Sequence, residues 1–223
     1  MFKIGLLALA ALSFATLGLN AKIVFKDDFE AYQLGSSIDG QMGWEADGTY
    51  KIVQSKDGQA VFSGRTVPDA ALSHGFAAQE GTFYIGVDVD FSSSASNFFW
   101  IAATDAASDD HTVGAIFNVK QEQTLVSARV RDTASSSKTS QPAAYTNPAR
   151  MVMEISASSG RYTCKLWLNP ATSSDAPLRT VSGQMSADVL NTFYARRASV
   201  SHSAMTIDNL IIATTFEEAL GSM

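Results

Sequence analysis

From residue 82 to 91 the chain alternates strictly. Phe83, Ile85, Val87, Val89 and Phe91 fall on one side, and Tyr84, Gly86, Asp88 and Asp90 on the other. Period two marks a strand with one buried face. Residues 125–130 set Val126, Ala128 and Val130 against Arg129, with Arg131 next on the polar side. Residues 160–168 set Tyr162, Cys164, Leu166 and Leu168 against Arg161, Lys165 and Trp167. Residues 97–103 are apolar on both sides, which predicts a central strand covered on each face. Further strands are predicted at 50–54, 59–63, 112–120, 150–156, 193–201 and 204–212, with turns at Asp57-Gly58 and Ser158-Ser159-Gly160. Roughly a dozen short strands separated by turn residues predict an all-β sandwich or barrel. Helix is expected only at 186–190 and 216–220, the latter capped by Thr215. Residues 133–148 and 169–177 read as loops.

Two strand-like segments lie near the ends, at 23–30 and 205–212, and both carry carboxylates where the alternation breaks. Terminal strands lying side by side would bring these acids together and close one domain. Ahead of them, Met1-Phe2-Lys3 and an uncharged apolar run to Leu19 form a signal peptide, cleaved after Ala21. The expected division is a leader at 1–21 and a single domain at 22–223. The mature protein is then secreted, periplasmic or at the cell surface, and no later stretch is apolar enough to span a membrane.

The net charge is −6, one unit more negative once Lys3 leaves with the leader. This acidity argues against a nucleic-acid partner, which needs a basic footprint. Cys164 is the only cysteine, so core burial rather than a disulfide must stabilise an exported chain. Its place among alternating apolar residues makes it a small core residue, not a nucleophile.

Asp27-Asp28-Phe29-Glu30-Ala31-Tyr32, then Gly35, then Gly40-Gln41-Met42-Gly43-Trp44, together with the segment from Ile207 to Phe216, resemble the concanavalin A-like lectin/glucanase superfamily. The likeness is strongest to laminin-G-like domains of secreted bacterial proteins. It implies a jelly roll of two curved antiparallel sheets, one of whose faces often meets carbohydrate. It also implies a structural Ca²⁺ between first and last strands, for which Asp28, Glu30 and Asp208 are the candidates. Solvation or turn capping is the simpler role for these acids. Glucanases of this fold carry Glu-x-Asp-x-x-Glu on one strand. Here Glu45-Ala46-Asp47 begins that motif, but Tyr50 stands where its last Glu belongs. The Arg-x-Glu-x-Arg and Gln-Ile-His strands of alginate lyases are also missing.

The outward residues of the middle strands, Arg129, Arg131, Lys165, Trp167 and Tyr84, would form a polysaccharide-binding groove if their strands share a sheet. Aromatic rings stack on sugars, and Arg pairs with carboxylate or sulfate. An ordinary solvated face is the alternative. Asp105, Asp109, Asp110 and His111 read as an acidic turn, and Trp44 and Trp100 as core. The leading expectation is a non-catalytic carbohydrate-binding domain. A lyase or glycosidase with unfamiliar residues (Tyr84 or Tyr194 as base) and a self-assembling surface protein remain open.

Overall fold

The computed structural model describes residues 22–47, 50–56, 58–63, 70–93, 97–105, 110–120, 123–198 and 203–221. The expected leader, Asp57, Asp109 and His202 lie outside them. Two eight-stranded sheets form an antiparallel sandwich. The first runs β14 (Arg179–Gln184), β13 (Arg161–Leu168), β12 (Ala149–Ser158), β6 (Thr82–Ser93), β16 (Ser203–Ala213), β4 (Gln59–Ser63) and β3 (Tyr50–Gln54), with β1 (Ile23–Asp27) also on β16. The second runs β10 (Ser136–Thr139), β9 (Gln123–Thr133), β8 (Thr112–Lys120), β7 (Asn97–Thr104), β15 (Thr192–Ala198), β5 (Ala71–Gly75) and β2 (Trp44–Ala46), with β11 (Ala143–Ala144) on β9. This is the expected jelly-roll sandwich, and the terminal strands do pair: Ile23 lies opposite Ala213 and Asp27 opposite Leu210.

The alternating apolar residues meet between the sheets. Phe83, Ile85, Val87, Val89, Cys164 and Leu166 from the first sheet pack toward Val126, Ala128 and Val130 from the second. Two elements differ from expectation. Residues 186–190 are not helical, because Ala187 and Leu190 bury without completing a turn. Residues 133–148 are not one open loop, because β10 and β11 both pair with β9.

The outer face of the first sheet is partly covered. Helix α1 (Phe216–Leu220) follows β16 directly, capped by Thr215 as expected, whose hydroxyl accepts from the Glu218 amide. Phe216 and Ala219 pack on Val152, Trp167, Ile211 and Ala213, a second apolar cluster outside the main core. Arg150 on β12 pins this helix. Its guanidinium donates to the carbonyls of Ala219 (2.5 Å), Leu220 (3.1 Å) and Asn209 (2.7 Å), and to Asp88 (3.2 Å). The helix's last carbonyls thus find a cation instead of water. Room comes from Gly86 on β6: a Cβ there would lie 1.7 Å from the Ala219 oxygen and 2.6 Å from an Arg150 nitrogen.

Gly86→Ala should therefore push the helix off its seat. We expect a loss of roughly 1–3 kcal/mol in urea unfolding, together with brighter, more exposed Trp167 emission. An unchanged midpoint would show that the helix contributes nothing to stability.

Candidate functional site

The residues expected to form one groove sit on opposite sides of the molecule. Tyr84, Lys165 and Trp167 are on the outer face of the first sheet, whereas Arg129 and Arg131 are on the outer face of the second. Alternation shows which residues point outward, but both sheets have an outward side, so parity alone cannot unite them.

The first group is occupied. Trp167 is only 6% exposed, its ring 5.1 Å from that of Phe216 and its Nε1 donating to the Asp175 carbonyl at 2.8 Å. Lys165 is paired with Glu154 at 2.8 Å. The Tyr84 hydroxyl donates to the same carboxylate at 3.3 Å, and burial pushes its pKa up to about 12. Trp167 is therefore a filled contact under α1 and no free sugar platform.

The second group belongs to a broader surface. Across the outer face of the second sheet, one register row runs Thr139, Arg129, Gly114, Ala102, Tyr194, Ser73 and Glu45. Gly114 and Ala102 offer at most a methyl group. Gly114, Ala102 and Tyr194 are nonetheless buried, so this row is covered rather than open. The adjacent row holds Ser127, Ile116, Trp100, Arg196 and Ala71. Trp100 is only partly buried, Phe98 beside it is 43% exposed, and their rings are 6.4 Å apart. The Arg196 guanidinium lies 5.5 Å from the Trp100 ring centre, a cation–π contact. Residues 97–103 thus form a central strand, but its second face is a partly open aromatic shelf.

Arg131 is tied to Asp110 at 3.1 Å. Arg129 makes no hydrogen bond or ion pair to any described residue, and its Nε is buried without an acceptor. Burial first, then the charge of Arg131, pushes its pKa down to about 10. The Asp110 charge opposes this in part, and a guanidinium held half out of water without a hydrogen-bonded partner favours an incoming anion. The unread signal was Trp100 and Phe98: both alternate with the core residues Phe99 and Ile101, so both had to face outward.

The end acids are held in separate roles. Asp27 accepts from the Tyr32 hydroxyl (2.5 Å), the Trp44 indole (2.8 Å) and the Phe29 amide (2.8 Å). Asp28 lies beside Lys26 at 3.8 Å, and Glu30 accepts from the Gln59 amide at 2.5 Å. Asp208 sits in a cleft of about 300 Å³ on the first sheet, directly across from Asp88 and beside a β-bulge where Asn209 adopts φ 48°. Among the described residues no group of three His, Cys, Asp or Glu side chains is placed to hold a metal ion, though Glu30 lies near enough to Asp208 for its charge to act on that carboxyl. The broken glucanase motif is also split: Glu45 is on β2 of the second sheet and Tyr50 on β3 of the first, where Tyr50 is core.

No family model matches the chain, and no curated protein matches it. Solved structures share the fold. A bifunctional GH43-CE protein of Bacteroides eggerthii superposes with a TM-score of 0.62 at 9% identity, over 88% of this chain and 26% of its own. A sialidase gives 0.56 at 10% identity, over 90% of this chain; this chain spans only 19% of that one. A β-1,3-glucanase of Mycobacterium marinum gives 0.53 at 11% identity, over 86% of this chain and 98% of its own. What they share with this chain is the concanavalin A-like, two-sheet antiparallel jelly-roll sandwich. Among the described residues no helix is long and apolar enough to cross a membrane.

The Asp88–Asp208 pair has a pH consequence. Burial, and then the Asp88 charge, push the Asp208 carboxyl up to about 6, against opposing hydrogen bonds from Asn209 and Ser55. A carboxyl raised on folding stabilises below its unfolded pKa, and that stability is lost as pH rises through about 6. Because Asp208 is half exposed, the effect should be about 1 kcal/mol rather than the full shift. Asp208→Asn should remove the decline between pH 4 and 7, measured as Tm against pH. An identical profile in the variant would refute this assignment.

Proposed function

We propose that this is an exported, laminin-G-like glycan-binding domain that holds polysaccharide on the outer face of its second sheet. The observation carrying the reading is the Phe98–Trp100 shelf with Arg196 over it, one row from the unpaired Arg129. The shelf supplies apolar stacking area for sugar rings. Arg129 makes a charged glycan, bearing uronate or sulfate, the better ligand. Binding without cleavage of the glycosidic bond fits the split motif, since such cleavage needs two carboxylates flanking the bond. The jelly-roll fold shared with carbohydrate-active proteins supports the same reading, and the apolar leader supports export.

Isothermal titration with a polyuronate and a neutral β-glucan tests it. Trp100→Ala should weaken both ligands about tenfold. Arg129→Ala should weaken the polyuronate only. Trp167→Ala should lower Tm and leave binding intact. Full affinity in Trp100→Ala would move the site off this face.

A further inference from the structure

A second constellation lies where the two sheets approach at one end of the sandwich. Asp105 follows β7, His111 precedes β8, Asp132 is near the end of β9, and Ser186 follows β14 of the other sheet. His111 Nδ1 is 2.7 Å from Asp105 Oδ2, and its Nε2 is 3.2 Å from Ser186 Oγ. This is the order of contacts in a nucleophile–base–orienter relay, here contributed by both sheets. His111 holds φ 49°, a left-handed conformation uncommon for histidine, and its amide donates to the Asp132 carbonyl at 3.1 Å. The Asp132 carboxylate accepts from both the amide and the hydroxyl of Ser186, each at 2.7 Å. Asp132 thus positions base and nucleophile relative to each other.

Ser186 is exposed and lines a cleft of about 350 Å³ with Ser159, Gly160, Tyr162, Ala187 and Asp188. The Ala187 amide, next along the chain, donates to no described residue.

We propose that Ser186, His111 and Asp105 form an acyl-transfer site that hydrolyses small acyl esters, with Asp132 as a positioning residue. Asp105 accepts the Nδ1 proton, and at rest the Ser186 hydroxyl donates to Asp132; the reaction begins when that O–H turns from Asp132 to the Nε2 lone pair, 3.2 Å away. The Ser186 oxygen attacks the ester carbonyl carbon while its proton passes to Nε2, and the carbonyl π pair moves onto oxygen. Collapse expels the alcohol oxygen, which takes the proton from Nε2 and leaves acyl-Ser186. Water then gives a proton to Nε2 as it attacks. Ser186 departs with that proton, releasing the carboxylic acid. No oxidant or metal is required. Asp132, 3.6 Å from Nε2, also stabilises the imidazolium formed at each stage. The acyl group must be small, because the cleft's apolar lining is limited to Ala157, Tyr162, Met185 and Ala187.

Treatment of the whole chain with a fluorophosphonate, followed by peptide mass spectrometry, reads the nucleophile directly. The label should map to Ser186. Hydrolysis of p-nitrophenyl acetate should fall at least about 100-fold in Ser186→Ala and in His111→Asn. Asp132→Asn keeps an acceptor for the Ser186 amide and should slow the rate less than either. Because p-nitrophenyl acetate carries no sugar, failure here is separable from failure of glycan binding. Absence of label at Ser186 in the wild-type protein overturns the proposal and makes the cluster a structural pin between sheets. An undiminished rate in folded Ser186→Ala does the same. Mapping on wild-type protein decides the matter even if a variant does not fold.

Discussion

Arg150 decides which side of the sandwich can work. Its guanidinium, largely buried, reaches three backbone carbonyls and one carboxylate. Burial pushes its pKa down, and Asp88 opposes this. An isolated buried cation would cost several kcal/mol, so its oxygen partners must all be in place. Two of them come from α1 and one from the Asn209 bulge. The clamp therefore ties the C-terminal helix, the bulge and the β6–β12 pairing together. With the helix seated, Trp167 and Phe216 satisfy each other, and the first sheet presents a sealed apolar patch beside an acidic cleft.

On the second sheet Trp100 and Phe98 stay partly open, and Asp110 ties Arg131. That tie has a further meaning. Arg131 neighbours Asp132, and Asp110 neighbours His111, so the basic end of the proposed glycan face lies next to the Ser186 cluster along the chain. A chain lying across Arg129 and Arg131 would bring its substituents toward that hydroxyl. The two proposed sites would then be parts of one path over β8 and β9.

Much of this architecture was legible in the chain. The alternation in 82–91 and 160–168 correctly separated core from surface, and the matched ends correctly announced adjacent terminal strands. Thr215 announced a helix start because its hydroxyl can take the Glu218 amide. What was not legible is long-range. Trp167 and Arg129 share outward parity, but nothing local says that β13 and β9 belong to different sheets. Residues 97–103 look buried on both sides because exposed aromatics and core aromatics have the same hydropathy. His111 and Ser186 are 75 positions apart, and only the closing of the sandwich makes them neighbours. Asp28 and Asp208 looked like partners because the strands carrying them pair. The bulge at Asn209 and the turn at Phe29 then aim the two carboxylates at different neighbours.

The adjacency of the ends also has a mechanical side. Ile23 lies opposite Ala213, so the first and last strands start and finish at the same edge of the fold. A load applied through both ends would not shear β1 along β16. It would draw them apart crosswise, breaking one rung after another from Ile23 inward, with α1 lifting first. Such a zipper geometry resists tension poorly, since each bond bears the force alone.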